Sequence, residues 1–238
     1  DYGKSELLAH AQFMLAERYS EIKDYNQAVK HYRAVSVRED AGELAPHALF
    51  GLGIASYDQE QWNESATAFA VLQKQFPASD LIPQAQYRRA RALMNLSNWK
   101  DAAATFAAMI QDSPKHELAR SAQVNVAACF QELKRWDDAA KAHDAAINNY
   151  AAGDDQARLY YELAWSHREA GRLDAALKAF RGLAEEFPKD PLAADAFFHL
   201  AEDAYKAQDS AKLDEARGFY EKVLEVSQDK RLMDKALY

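Results

Sequence analysis

A small residue recurs every 37 positions along this chain, at Ala16, Gly53, Ala90, Ala127, Ala164 and Ala201, and no other feature constrains the fold as much. Twelve residues behind each of the first five stands a second small side chain, at Ala28, Ser65, Ala102, Ala139 and Ala176. A bulky column runs through Tyr25, Trp62, Trp99, Trp136 and Leu173, and a mostly aromatic one through Tyr32, Phe69, Phe106, His143 and Phe180. Self-similarity at this period marks a unit that cannot bury its apolar face alone and gains a core only when neighbours stack on it.

Within each unit, apolar residues at three-and-four spacing fill two segments joined by a short polar turn, so each unit is expected to be two antiparallel helices. In the third unit these helices are expected over 81–96 and 99–111, with Asn98 as N-cap and Asp101 three residues on. Pro46 and Pro83 fall in the first turn of first helices, while Pro77, Pro114 and Pro188 close second helices. The small columns let the helices of a hairpin approach closely where they cross, so leucine at Ala127 or Ala139 should overpack the crossing. In the sixth unit the second small residue, Ala216, comes 40 rather than 37 after Ala176, which places three extra residues in the turn around Gln208 to Ala211. The reading is a single array over 1–238, with units of about 9–43, 44–80, 81–117, 118–154, 155–191 and 192–229. Residues 230–238 read as the start of a further repeat.

With 49% apolar residues the chain has ample material for a core, which excludes wholesale disorder. The 29 Lys and Arg are outnumbered by 37 Asp and Glu and scattered among them, which argues against nucleic acid as a partner. No run of apolar residues is long enough for a membrane span. One cysteine, Cys129, cannot form an internal disulfide and leaves the redox compartment open.

These columns are similar to the tetratricopeptide repeat, over about residues 9 to 226. The family repeat is 34 residues long, so three residues are added per unit. The links at 75–87 and 186–198 resemble those of bacterial cell-envelope members, of the kind found in the β-barrel assembly lipoprotein and the periplasmic partner of the Tol-Pal system. The resemblance implies an all-α, right-handed superhelical solenoid of six antiparallel helix pairs with a partial seventh helix. It also implies a periplasmic or cell-envelope location, with the cytoplasm as the alternative. The chain is expected to continue beyond both ends and to carry an export signal upstream. Arg89 and His143 depart from the usual pattern.

Catalytic chemistry finds little support. None of the seven histidines has metal-ligand spacing, and Asp195, His199 and Asp203, one turn apart, read as a helix-face pairing. Cys129 occupies a slot held elsewhere by Ala55, Ala92 and Ser166, so it reads as a packing residue. Gly51 and Gly53 lie inside a helix with no strand before them, so they are no phosphate loop. The acidic pairs Asp137-Asp138 and Glu185-Glu186 lack the opposed geometry of a catalytic dyad. No catalytic residue, metal or cofactor is expected.

The resemblance further implies that first helices line the concave surface. Mapping its inner positions selects Tyr87, Arg88, Arg91, Asn125, Tyr161, Trp165 and Arg168 as the candidate ligand groove. Aromatic and arginine enrichment is what protein-binding surfaces show. The clamp by which chaperone-binding members hold a terminal carboxylate is missing: Tyr87 and Arg91 stand at its first pair, and Arg158 and Glu162 at its last. The expected function is a non-catalytic scaffold for a protein or extended peptide, an acidic one by preference. The alternative is a positioning or regulatory region of a larger enzyme or envelope assembly.

Overall fold

The computed structural model describes residues 2–207 and 209–237, with side chains from Glu6 onward. Asp1, Gln208 and Tyr238, and with them part of the expected three-residue addition, lie outside the described residues. The chain is all-α, without a strand among those residues, and divides into two compact bodies, Asp1–Cys129 and Phe130–Tyr238, described in turn. The first holds α1 (Tyr2–Glu21), α2 (Tyr25–Ser36), a 3-10 turn (Glu39–Ala41), α3 (Leu44–Asp58), α4 (Trp62–Gln75), α5 (Ile82–Asn95), α6 (Trp99–Asp112) and most of α7 (Ala119–Glu132). The second holds the end of α7, then α8 (Trp136–Asn148), α9 (Gln156–Glu169), α10 (Leu173–Glu186), α11 (Pro191–Lys206), α12 (Ser210–Val226) and α13 (Lys230–Leu237).

Each of the first five hairpins turns on one residue in the left-handed region: Lys23 (φ 61°), Glu60 (59°), Ser97 (56°), Lys134 (55°) and Gly171 (74°), spaced by the same 37 residues. The amide of the following residue closes a bond to the carbonyl five back, as in Gln61 N–H to Ser56 O (2.8 Å) and Arg172 N–H to His167 O (2.8 Å), the pattern of a Schellman C-cap. Only the fifth turn uses glycine, for which this conformation carries no steric cost. Asn98 opens α6 without capping it; its amide instead donates to the Asp101 carboxylate (2.8 Å). Trp62, Trp99 and Trp136 open α4, α6 and α8 and are half-buried, not turned out to solvent.

The small columns are buried throughout, and Gly53 shows why they are small. A Cβ there would stand 2.6 Å from the Phe69 ring, while the Ser65 hydroxyl donates to the Gly53 carbonyl (2.8 Å). Glycine in mid-helix costs roughly 1 kcal/mol, and here it makes room for a fully buried phenyl group worth about 2 to 3 kcal/mol. The aromatic column is then met edge-on by a ring from the first helix 19 residues earlier: Phe13 on Tyr32 (5.8 Å), Phe50 on Phe69 (5.6 Å), Tyr87 on Phe106 (5.4 Å) and Tyr161 on Phe180 (6.4 Å). In the sixth unit Phe198 meets Tyr220 (6.0 Å), the offset lengthened to 22 by the added residues. The column member without a ring of this kind is His143, which is 2% exposed with neither nitrogen hydrogen-bonded among the described residues.

Candidate functional site

In the first body, helical spacing puts Tyr87, Arg88 and Arg91 on one face of α5. Tyr87 is half-buried because its ring seats on Phe106, which leaves the hydroxyl at the surface of the layer. The Asn125 amide nitrogen of α7 donates to that hydroxyl (3.3 Å) and to the Ser121 carbonyl one turn back (2.8 Å). One first helix earlier, the Asn95 amide of α5 donates to the Tyr57 hydroxyl of α3 (2.9 Å). Both pairs are 38 residues apart, one period plus one, so a tyrosine–asparagine rung repeats between adjacent first helices. Burial works to lower the Arg91 guanidinium pKa, but hydrogen bonding to Tyr87 and interaction with the Tyr57 and Tyr87 phenols raise it on balance. Arg88 and Arg91 are exposed, and neither forms an ion pair among the described residues. The Asn125 amide donors are thus already engaged, and what it keeps for a ligand is its carbonyl oxygen.

In the second body, Tyr161, Trp165 and Arg168 line successive turns of α9. The Tyr161 hydroxyl donates to the Asp195 carboxylate of α11 (2.9 Å). Burial and that bond push the phenol up to about 12. Trp165 is ringed edge-on by Tyr161 (6.0 Å), Phe180 (6.3 Å) and His199 (5.6 Å), and its buried indole nitrogen has no partner among the described residues. The Arg168 guanidinium lies over the Trp165 ring (4.9 Å) with one nitrogen 3.0 Å from the His199 imidazole. Burial, and then Arg168, lower the His199 pKa, against a smaller opposing pull from Asp195 and Glu202.

The structure bonds Tyr87 to Asn125, with Arg91 in electrostatic reach of Tyr87, and gathers Tyr161, Trp165 and Arg168 into a second cluster; Arg88 forms no ion pair among the described residues. Asp195 and His199, which the sequence suggests as partners of each other, instead each bind a residue of α9. Their offsets from Tyr161 and Arg168, 34 and 31 residues, follow from how first helices sit beside one another, which a single repeat unit does not contain. Cys129 is fully buried in its small-residue slot. Among the described residues no group of three or more His, Cys, Asp and Glu could hold a metal ion, and no helix is long and apolar enough to cross a membrane.

Residues 42–202 match the family model YfiO, outer membrane lipoprotein. No curated protein is found to match. Among solved structures, one of MamA protein superposes with a TM-score of 0.62 at 16% identity, covering 76% of this chain and 93% of that one. A tetratricopeptide repeat protein from Parabacteroides merdae gives 0.60 at 16% identity, covering 97% and 98%. The apo form of RapI gives 0.62 at 16% identity, covering 96% and 76%. At these identities the likeness is one of fold: stacked helix pairs of the tetratricopeptide type.

Proposed function

The chain belongs to the YfiO family of outer membrane lipoproteins, and we propose on that premise that it is a non-catalytic scaffold of the periplasmic side of the envelope, binding an extended protein segment on its first-helix faces. Tyr87, Arg88, Arg91 and Asn125 in the first body and Tyr161, Trp165 and Arg168 in the second are the residues assigned to ligand contact.

The observation that carries this reading is the polarity of the α5 face. The Tyr87 hydroxyl accepts from Asn125 and the Tyr57 hydroxyl from Asn95, so each phenol keeps its own proton to donate outward. Arg88 and Arg91, neither in an ion pair among the described residues, share the α5 face with Tyr87 on a protein whose formal charge is −8. A surface built of donors is complementary to a carboxylate-bearing segment, through charge-assisted bonds. Site-directed photo-crosslinking in cells of the source organism tests it: a benzophenone side chain at Arg88 or Trp165 should trap a protein that the same group at Lys141, on the second helix α8, does not. Equal yields from all three positions would contradict the reading.

A further inference from the structure

Arg89 occupies a position that the other units give to an aliphatic side chain. At intervals of the repeat period the same position holds Leu15, Leu52, Val126, Leu163 and Leu200, and the last four are buried. Arg89 is half-buried on α5, and its hydrogen bond among the described residues runs to the neutral side-chain oxygen of Gln73 on α4 (3.1 Å). Most of the guanidinium N–H donors are left over. Arg89 lines a groove of about 600 Å³ beside α4 and α5. Lys74, next to Gln73, brings a second cation to the Arg89 end, while Ala66, Ala70, Leu93 and Leu96 make the groove apolar toward the turn into α6.

Among the described residues no carboxylate pairs with either cation. The helix α5 carries none, and those of α4 and α6 are bonded elsewhere: Glu64 to Arg33, Asp101 to the Asn98 amide (2.8 Å) and Asp112 to the Gln86 amide (3.2 Å). The corresponding grooves differ on both counts. Beside α3 the groove holds Leu52 and sets Glu39 and Glu64 against Arg33 and Arg38. Beside α9 it holds Leu163 and sets Asp144 and Glu185 against Lys178 and Arg181. A half-buried cation in place of a core leucine gives up apolar burial, and here it gains no counter-charge from its own chain. We propose that this groove is a binding site for a small aliphatic carboxylate. The carboxylate accepts charge-assisted bonds from Arg89 and Lys74, and the hydrocarbon body lies along Ala66, Ala70, Leu93 and Leu96.

The test titrates the protein with hexanoate, hexanamide, acetate and inorganic phosphate at matched ionic strength, following the backbone amide resonances of Ala70, Lys74 and Leu93. Hexanoate should shift them with a Kd on the order of 10 mM, as suits so small a ligand. Hexanamide, which lacks the charge, and acetate, which lacks the body, should each bind about tenfold more weakly. Arg89→Leu restores the residue type of the column, so it should keep its circular dichroism and lose hexanoate binding. Arg89→Gln should lose it too, and serves if the leucine variant misfolds. Hexanamide binding as tightly as hexanoate overturns the proposal, as does binding that survives both substitutions. Acetate or phosphate binding as tightly would reduce the groove to an unselective anion site and overturns it equally, as does the absence of any shift with about 50 mM hexanoate, several times the expected Kd.

Discussion

His143 is a titratable ring in a slot built for phenyl, and its effect on stability can be worked out. It is 2% exposed, neither nitrogen is bonded among the described residues, and burial, with a smaller push from Arg158, lowers its pKa from 6.5 to about 4. The unfolded chain therefore binds a proton that the folded chain refuses between those values, so stability must fall as pH drops through this window and is fully present above 6.5. At about 1.4 kcal/mol per unit, the whole shift is worth roughly 3 kcal/mol, and about 2 kcal/mol of it appears between pH ~7.5 and ~5. His143→Phe removes the proton and two unsatisfied nitrogens, so it should gain about 1 to 2 kcal/mol near neutral pH and flatten that part of the profile. Urea denaturation of both proteins at the two pH values isolates the term, because carboxylate titrations elsewhere cancel in the difference. Parallel losses in wild type and variant would show that burial does not hold this ring neutral.

Two substitutions probe the repeat itself. Gly53→Ala should destabilise by about 1 to 3 kcal/mol despite alanine's better helix propensity, because the new methyl meets the immobile Phe69 ring; a rise in the denaturation midpoint would refute the packing argument. Glu60→Gly and Ser97→Gly should each stabilise by about 0.5 to 1 kcal/mol, since both residues hold a left-handed φ that glycine adopts freely. Calorimetry should show each raising Tm by about 1 to 4 °C, and no rise would mean those turns are not strained.

The repeat was legible because small, bulky and aromatic columns answer to contacts inside one hairpin, which the sequence spells out at fixed offsets. Helices expected over 81–96 and 99–111 run over Ile82–Asn95 and Trp99–Asp112. The turn residues were not legible: Lys23, Glu60, Ser97 and Lys134 are not of types that favour a positive φ, and only Gly171 advertises the left-handed conformation they all share. The candidate surface was readable as a set of residue types but not as a network. Tyr161 with Asp195, and Arg168 with His199, depend on the offset between neighbouring first helices rather than on the repeat period.

The central claim, that the α5 face reads a carboxylate on a bound protein segment, is tested most directly by isothermal titration of the segment trapped at Arg88 against wild type and Arg91→Glu, each at low and high salt. Reversing that charge should weaken binding by roughly tenfold or more, about 1 to 3 kcal/mol, and the wild-type affinity should fall with salt while that of the variant changes little. An unchanged affinity in Arg91→Glu, with its circular dichroism intact, would contradict the account and move the ligand to another surface.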